Sequence, residues 1–155
     1  MPVQRLKEFL DGEKVKYVVI QHSPAFTAQE IAASAHVSGK ELAKTVMVLI
    51  DGKMAMAVVP ASFKVNLDRL GEVAGAERVE LAGESAFESM FPGCELGAMP
   101  PFSNLYDVAV YVSERLADDE EIAFNAGSHT ELVRLAYADF ARLVRPKVAK
   151  ISYGD

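Results

Sequence analysis

The chain has 155 residues, half of them apolar and a quarter charged, which fits one globular domain that buries a full core without staples. A single cysteine, Cys94, excludes an internal disulfide framework, and the longest apolar run is about six residues against the ~20 needed to span a bilayer. The net charge of −6 argues against a protein that coats nucleic acid without regard to sequence. It leaves room for one that grips only the end of an RNA through a local basic patch. Arg142, Arg145, Lys147 and Lys150 form such a cluster, or else a solvated tail. The first residues are charged at once and lack the apolar core of a signal peptide, so a cytoplasmic protein is expected.

The opening segment places Val3, Leu6, Phe9 and Leu10 on one face of an amphipathic helix that Asp11-Gly12 ends. Val15 to Gln21 is rich in β-branched residues and reads as a strand, closed by His22-Ser23-Pro24. Thr27 and Glu30 form a capping box for a helix reaching about Val37. A helical turn over Lys40 to Lys44 then leads into a hairpin, Val46 to Ile50 and Met54 to Val59, around Asp51-Gly52. Asn66 to Ala74 reads as a helix, Arg78 to Leu81 as a strand, and Glu84 to Phe91 as a helix stopped by Pro92-Gly93. Cys94 to Ser103 carries too much Gly and Pro for regular structure and is an apolar loop. Strands follow at Asp107 to Val112, Glu121 to Asn125 and Val133 to Tyr137, with a last short helix at Asp139 to Leu143. The pattern predicts a single α+β domain over residues 1–155: a curved, mixed, mainly antiparallel sheet of about seven strands with flanking helices.

Several chemistries drop out. The three histidines, His22, His36 and His129, share no metal-ligand spacing with one another or with Cys94, so neither a metal nor a cofactor is expected. No phosphate-binding loop, dinucleotide fingerprint or nucleophile elbow is present. Cys94 has no acid–base partner nearby in sequence and reads as a small buried hydrophobe.

Three places could carry chemistry, each with an ordinary reading beside it. Gly97 to Phe102 sets a flexible glycine before the rigid pair Pro100-Pro101. Such a loop can hold backbone donors against a developing oxyanion, or simply connect two elements. Gly127-Ser128-His129 offers a free backbone, a hydroxyl and an imidazole able to carry protons near neutral pH, or an exposed turn. Lys44, at the entry to an apolar strand, could polarise a carbonyl or hold a phosphate, or snorkel from a sheet edge.

In their order and spacing, Lys44-Thr45, the Gly97–Pro101 loop running into Phe102, and Gly127-Ser128-His129 resemble the YbaK/ProX family, the prolyl-tRNA synthetase-associated editing domain. The resemblance runs from about His22 to Leu143. It implies a curved mixed sheet and deacylation, in trans, of mischarged tRNA, often prolyl-tRNA carrying the wrong amino acid. It further implies no metal and no protein nucleophile, with water or a substrate group attacking the ester. The lysine matching Lys44 is important across that family, and the loop matching Gly97 to Pro101 holds the aminoacyl end by its backbone. Lys44, Gly97, Ser128 and His129 are then the candidate catalytic groups. His22, Thr45, Pro100, Pro101 and Gly127 are candidate substrate contacts, with Ile20, Phe26, Met47 and Met99 as pocket walls or ordinary core. The expected partner is a tRNA acceptor end, with a synthetase as a second candidate, and neither DNA nor a membrane. A non-catalytic tRNA- or synthetase-binding module of the same fold is the alternative, and hydrolysis of a small aminoacyl ester is a third reading.

Overall fold

The computed structural model describes residues 2–21, 42–83, 99–102, 108–127 and 130–153. Along them run helix α1 (Pro2–Gly12), strands β1 (Tyr17–Gln21), β2 (Leu42–Ile50) and β3 (Lys53–Pro60), helix α2 (Leu67–Ala74) and β4 (Val79–Leu81). Then come β5 (Ala109–Ser113), α3 (Glu114–Ala117), β6 (Glu121–Asn125), β7 (Glu131–Ala136), α4 (Tyr137–Val144) and β8 (Lys147–Ala149). The eight strands make one sheet in the order β1-β7-β6-β2-β3-β5-β8, with β4 joined to β2 off that path. It is mixed: β2–β6, β3–β5 and β5–β8 are parallel and the other four pairings antiparallel.

Local chemistry accounts for the joints. Asp51 and Gly52 both take positive φ, 48° and 83°, the two left-handed residues that a type I′ hairpin turn requires. The Asp51 carboxylate accepts the backbone N–H groups of Glu77 and Arg78, which fixes the start of β4 beside the hairpin. Asn66 caps α2 by accepting the Arg69 N–H at 3.2 Å, and Gly75 ends that helix at φ 66°.

The sheet buries both faces. On one, α1 lays Leu6 and Leu10 over Met47, Met56, Val58, Val110, Val112 and Val133. Phe102 is the hub there, its ring 6.0 Å from Phe9, 5.4 Å from Phe124 and 5.5 Å from Phe140. On the other face, α2 sets Leu70 against Val48, Ala55, Ala57, Val59 and Ile151.

One expectation needs correction. Residues 42–44 are not a helical turn: Leu42 and Ala43 are already strand, paired with Ala123 and Phe124 of β6, and Ala43 also faces Pro60 of β3. Ladder bonds on both edges outweigh the local helical preference of Glu-Leu-Ala-Lys. The sequence also hides α3 and β8, while the expected mixed sheet of about seven strands stands, with eight strands among the described residues. The helices expected at residues 27–37 and 84–91 lie outside the described residues.

Because Phe102 is fully buried among three rings, Phe102→Ala should cost about 3–5 kcal/mol, since the cavity it leaves cannot collapse. Denaturant unfolding measures this, and a loss below ~1 kcal/mol would contradict the hub assignment.

Candidate active site

Strand β2 is paired unequally on its two edges. Toward β3 the ladder is continuous from Ala43 to Ile50. Toward the other side, β6 takes only Leu42 and Ala43, and β4 takes Val48 to Ile50. Between them the Met47 carbonyl accepts the Ala82 N–H at 3.0 Å. Among the described residues nothing pairs with residues 44–46 along that edge. The sheet therefore divides at Lys44.

Register fixes what faces the division. Ala43 and Phe124 are partners in the parallel β2–β6 ladder, and both point into the α1-side core. The next residues along these strands, Lys44 and Asn125, point to the opposite face because side chains alternate. Asn125 is paired with Leu132 of β7, and Leu132 with Ile20 of β1. On the other flank Lys44 is paired with Val59. Ile20, Leu132 and Asn125 on one side of the division, and Lys44 and Val59 on the other, thus lie on one face.

Two residues beyond Asn125 stands Gly127, buried and at φ 99°, a backbone that side-chain-bearing residues rarely adopt. The Ala126 N–H donates to the Glu131 carbonyl at 3.1 Å and closes the base of this loop. The Met99–Phe102 segment approaches from the other face. Phe102 packs on Phe124, whose strand partner Ala43 directly precedes Lys44. Phe102 therefore lies across the sheet from Lys44, beneath the Ala43–Phe124 pair that precedes Lys44 on β2 and Asn125 on β6.

Lys44 is half-buried, and its ammonium pKa is lowered, first by desolvation and then by repulsion from Lys64. Among the described residues no carboxylate lies within ion-pair distance of it. A cation held partly out of water without a counter-charge is poised for an anionic ligand. Asn125 adds a polar group that the sequence reading misses: its Oδ1 is buried with no hydrogen-bond partner among the described residues. A strand-end Asn carries no motif, and only the β2–β6 register makes it Lys44's neighbour.

The remaining candidates fall into three groups. Ile20 lies on the Lys44 face, three strands away in the sheet order. Met47 and Met99 are core residues of the α1 side, and Thr45 points the same way, paired with Val58; none of the three shares a face with Lys44. His22, Phe26, Gly97, Ser128 and His129 lie outside the described residues, as do His36 and Cys94. Loop chemistry also limits its donors. Pro100 and Pro101 have no N–H, and the Phe102 N–H already donates to the Pro100 carbonyl at 2.9 Å. Pro100, Pro101 and Phe102 therefore offer no free backbone donor to an oxyanion.

Residues 22–143 match the model of the aminoacyl-tRNA editing domain. The chain is 27% identical over 150 residues to the multifunctional Ser/Thr-tRNA deacylase ProXp-y of Escherichia coli K12, covering 94% of this chain and 89% of that protein. It is 30% identical over 105 residues to the proline–tRNA ligase of Leuconostoc citreum, covering 68% of this chain and 18% of the ligase. Among solved structures, the hypothetical protein APE2540 superposes with a TM-score of 0.85 at 23% identity, over 96% of this chain and 99% of that one. A candidate trans-editing enzyme for prolyl-tRNA synthetase superposes with a TM-score of 0.84 at 18% identity, over 99% and 98%. These two structures establish the shared fold.

The lowered pKa has a direct reading. With lysines dimethylated by labelled formaldehyde, the NMR resonance of Lys44 should lose its charge at lower pH than those of the exposed lysines. Lys64→Met should move that titration upward, because it removes the repulsion that favours the neutral amine. A Lys44 titration indistinguishable from the exposed lysines would contradict the assignment.

Proposed function

The chain belongs to the aminoacyl-tRNA editing domain family, and on that footing we propose that residues 1–155 form one editing domain whose catalytic centre is the division beside β2. The protein is an aminoacyl-tRNA deacylase that acts in trans, hydrolysing the ester between a wrong amino acid and the terminal ribose of a tRNA. Its likeness to the E. coli deacylase over 89% of that protein, against 18% of the ligase, supports action in trans. That relative's name brings seryl- and threonyl-tRNA into the candidate substrates, and the ligase match supports mischarged prolyl-tRNA and a synthetase partner. Among the described residues no helix is long and apolar enough to cross a membrane, and we place the reaction in the cytoplasm, where charged tRNA is used.

The observation that carries this reading is the half-desolvated Lys44 ammonium, without an ion pair among the described residues, at the end of the short ladder that joins β2 to β6. Ester hydrolysis needs an oriented water, a stabiliser for the tetrahedral oxyanion and a grip on the leaving ribose. Water adds to the carbonyl carbon, the oxyanion forms, and its collapse expels the ribose oxygen, which takes up a proton. Lys44 supplies positive charge where negative charge develops, and the partial desolvation that lowers its pKa also strengthens that interaction. Asn125 can orient the water or a ribose hydroxyl through its amide oxygen. Gly97, Ser128 and His129 keep the roles that the family resemblance gives them. Neither Lys44 nor Asn125 is a nucleophile in this scheme.

Release of amino acid from tRNA bearing serine, threonine, alanine or cysteine, on tRNA for proline and on other tRNAs, tests the reading. We expect at least one ester to be cleaved well above background and Lys44→Ala to lose about 10²–10³-fold in kcat, the usual loss for one oxyanion donor. Asn125→Ala should lose a smaller factor. Binding of tRNA with no hydrolysis in the whole panel would instead establish a non-catalytic binding module.

A further inference from the structure

The basic cluster that the sequence suggests near the C-terminus is broken up by the fold. Arg142 is held 3.7 Å from Asp139 on α4, and Arg145 ends that helix in a left-handed cap. Lys150 goes elsewhere. The chain after β8 runs antiparallel to residues 64–66: the Asn66 N–H donates to the Ile151 carbonyl at 2.7 Å, Val65 bridges Ser152, and the Tyr153 N–H donates to the Lys64 carbonyl at 2.8 Å. Lys150 and Arg69 line one shallow depression with Glu72 and Val73. Arg115 lies over the Phe63 ring at 5.9 Å.

Lys64, Arg69, Arg115 and Lys150 are all exposed, and no salt bridge ties any of them among the described residues. Between them stand two aromatics, Phe63 and the largely exposed Tyr153. The patch reaches the candidate site, because the Lys64 charge is felt at Lys44, and Ile151 packs with Val59, the strand partner of Lys44, on the same face. In a chain of net charge −6, four exposed cations without an ion pair among the described residues, beside two aromatics and a half-buried lysine, fit one class of ligand. That class is a phosphodiester backbone with unstacked bases at its end.

We propose that this surface, formed by the 63–69 segment, Arg115 and the 150–153 tail, docks the acceptor end of the tRNA and leads its terminal ribose to Lys44. The proposal rests on the deacylase reading for its substrate, and predicts which face the RNA covers. Phosphates lie along Lys64, Arg69, Arg115 and Lys150, and Tyr153 offers a ring for an unpaired base. Glu72 lines the depression beside Arg69 and Lys150, and exposed Asp68 and Glu114 stand next in sequence to Arg69 and Arg115.

The test uses the full chain, with uncharged tRNA as the binding probe and two hydrolysis substrates. One is the mischarged tRNA cleaved by wild type; the other is the same aminoacyl ester on adenosine alone, which has no phosphodiester. Arg69→Glu/Lys150→Glu is compared with Lys14→Glu/Lys16→Glu, an equal charge change at the far edge of the sheet. We expect the patch variant to raise the Kd and KM for tRNA by about tenfold or more, to flatten the salt dependence of binding by about one to two units of slope, and to leave adenosine-ester hydrolysis and kcat unchanged. The far-edge variant should match wild type. Equal tRNA binding by patch variant and wild type, or equal losses on both substrates, overturns the docking surface. If wild type binds tRNA through the patch but cleaves neither ester, docking stands and the deacylase reading falls.

Discussion

The division of one edge of β2 is the constraint from which the rest of the site follows. A nine-residue strand with a full ladder on one side and two short partners on the other must leave a stretch of edge where neighbouring strands diverge. In most sheets such a stretch is a liability, since unpaired backbone invites stray pairing. Here it falls at Lys44, and the β6 backbone turns away just after Phe124 into the Gly127 loop. The aromatic cluster around Phe102 holds the divergence open from below by fixing Phe124, and with it the place where β6 leaves β2.

The electrostatics follow from that placement. A lysine in a fully paired central strand would meet hydrophobic neighbours on both sides and need a carboxylate. On a free edge it would be solvated and ordinary. At the division Lys44 is half-desolvated, and Lys64 adds repulsion in place of a counter-charge. Both effects disfavour its charged form, and an incoming anionic group relieves both. Hydrolysis of an ester on the terminal ribose brings such groups, the phosphates of the RNA and the oxyanion of the intermediate. The acidic balance of the whole chain restricts where RNA can lie, which makes a small cluster of exposed cations a directional device rather than a general attractant.

Much of the scaffold was legible where local chemistry decides it. Asp51-Gly52 demanded a type I′ hairpin, Asn66 was a helix start, and Leu6, Phe9 and Leu10 marked one helical face. Two elements were hidden for opposite reasons. The strand character of Leu42 to Lys44 comes from long-range pairing that overrides a helix-prone sequence. Strand β8 is three residues long with both Lys147 and Val148 exposed, so it has no alternation to read. The site was legible only in parts. Lys44 and the loops stood out by residue type, but the face that Lys44 and Asn125 serve is set by a two-residue parallel ladder. Asn125 was invisible without that register. Of the residues read as pocket walls or ordinary core, Met47 and Met99 are core of the other face, Met47 because side chains alternate along β2 and Met99 because it packs in the Phe102 cluster. The basic residues near the C-terminus looked like one patch and became two, since β8 and the bridge to residues 64–66 carry Lys150 away from α4.

The central claim is that the aminoacyl end of the substrate sits on the Lys44–Asn125–Gly127 face of the divided edge. The most direct measurement is an amide chemical-shift map of the protein with an aminoacyl-adenosine analogue whose ester is replaced by a non-hydrolysable amide. Saturable shifts centred on Lys44, Asn125 and Gly127, with Met56 and Val110 of the opposite core little changed, are the predicted result. Shifts confined to another surface, such as the depression lined by Ile50, Met54 and Tyr111, with Lys44 and Asn125 unmoved, would contradict it.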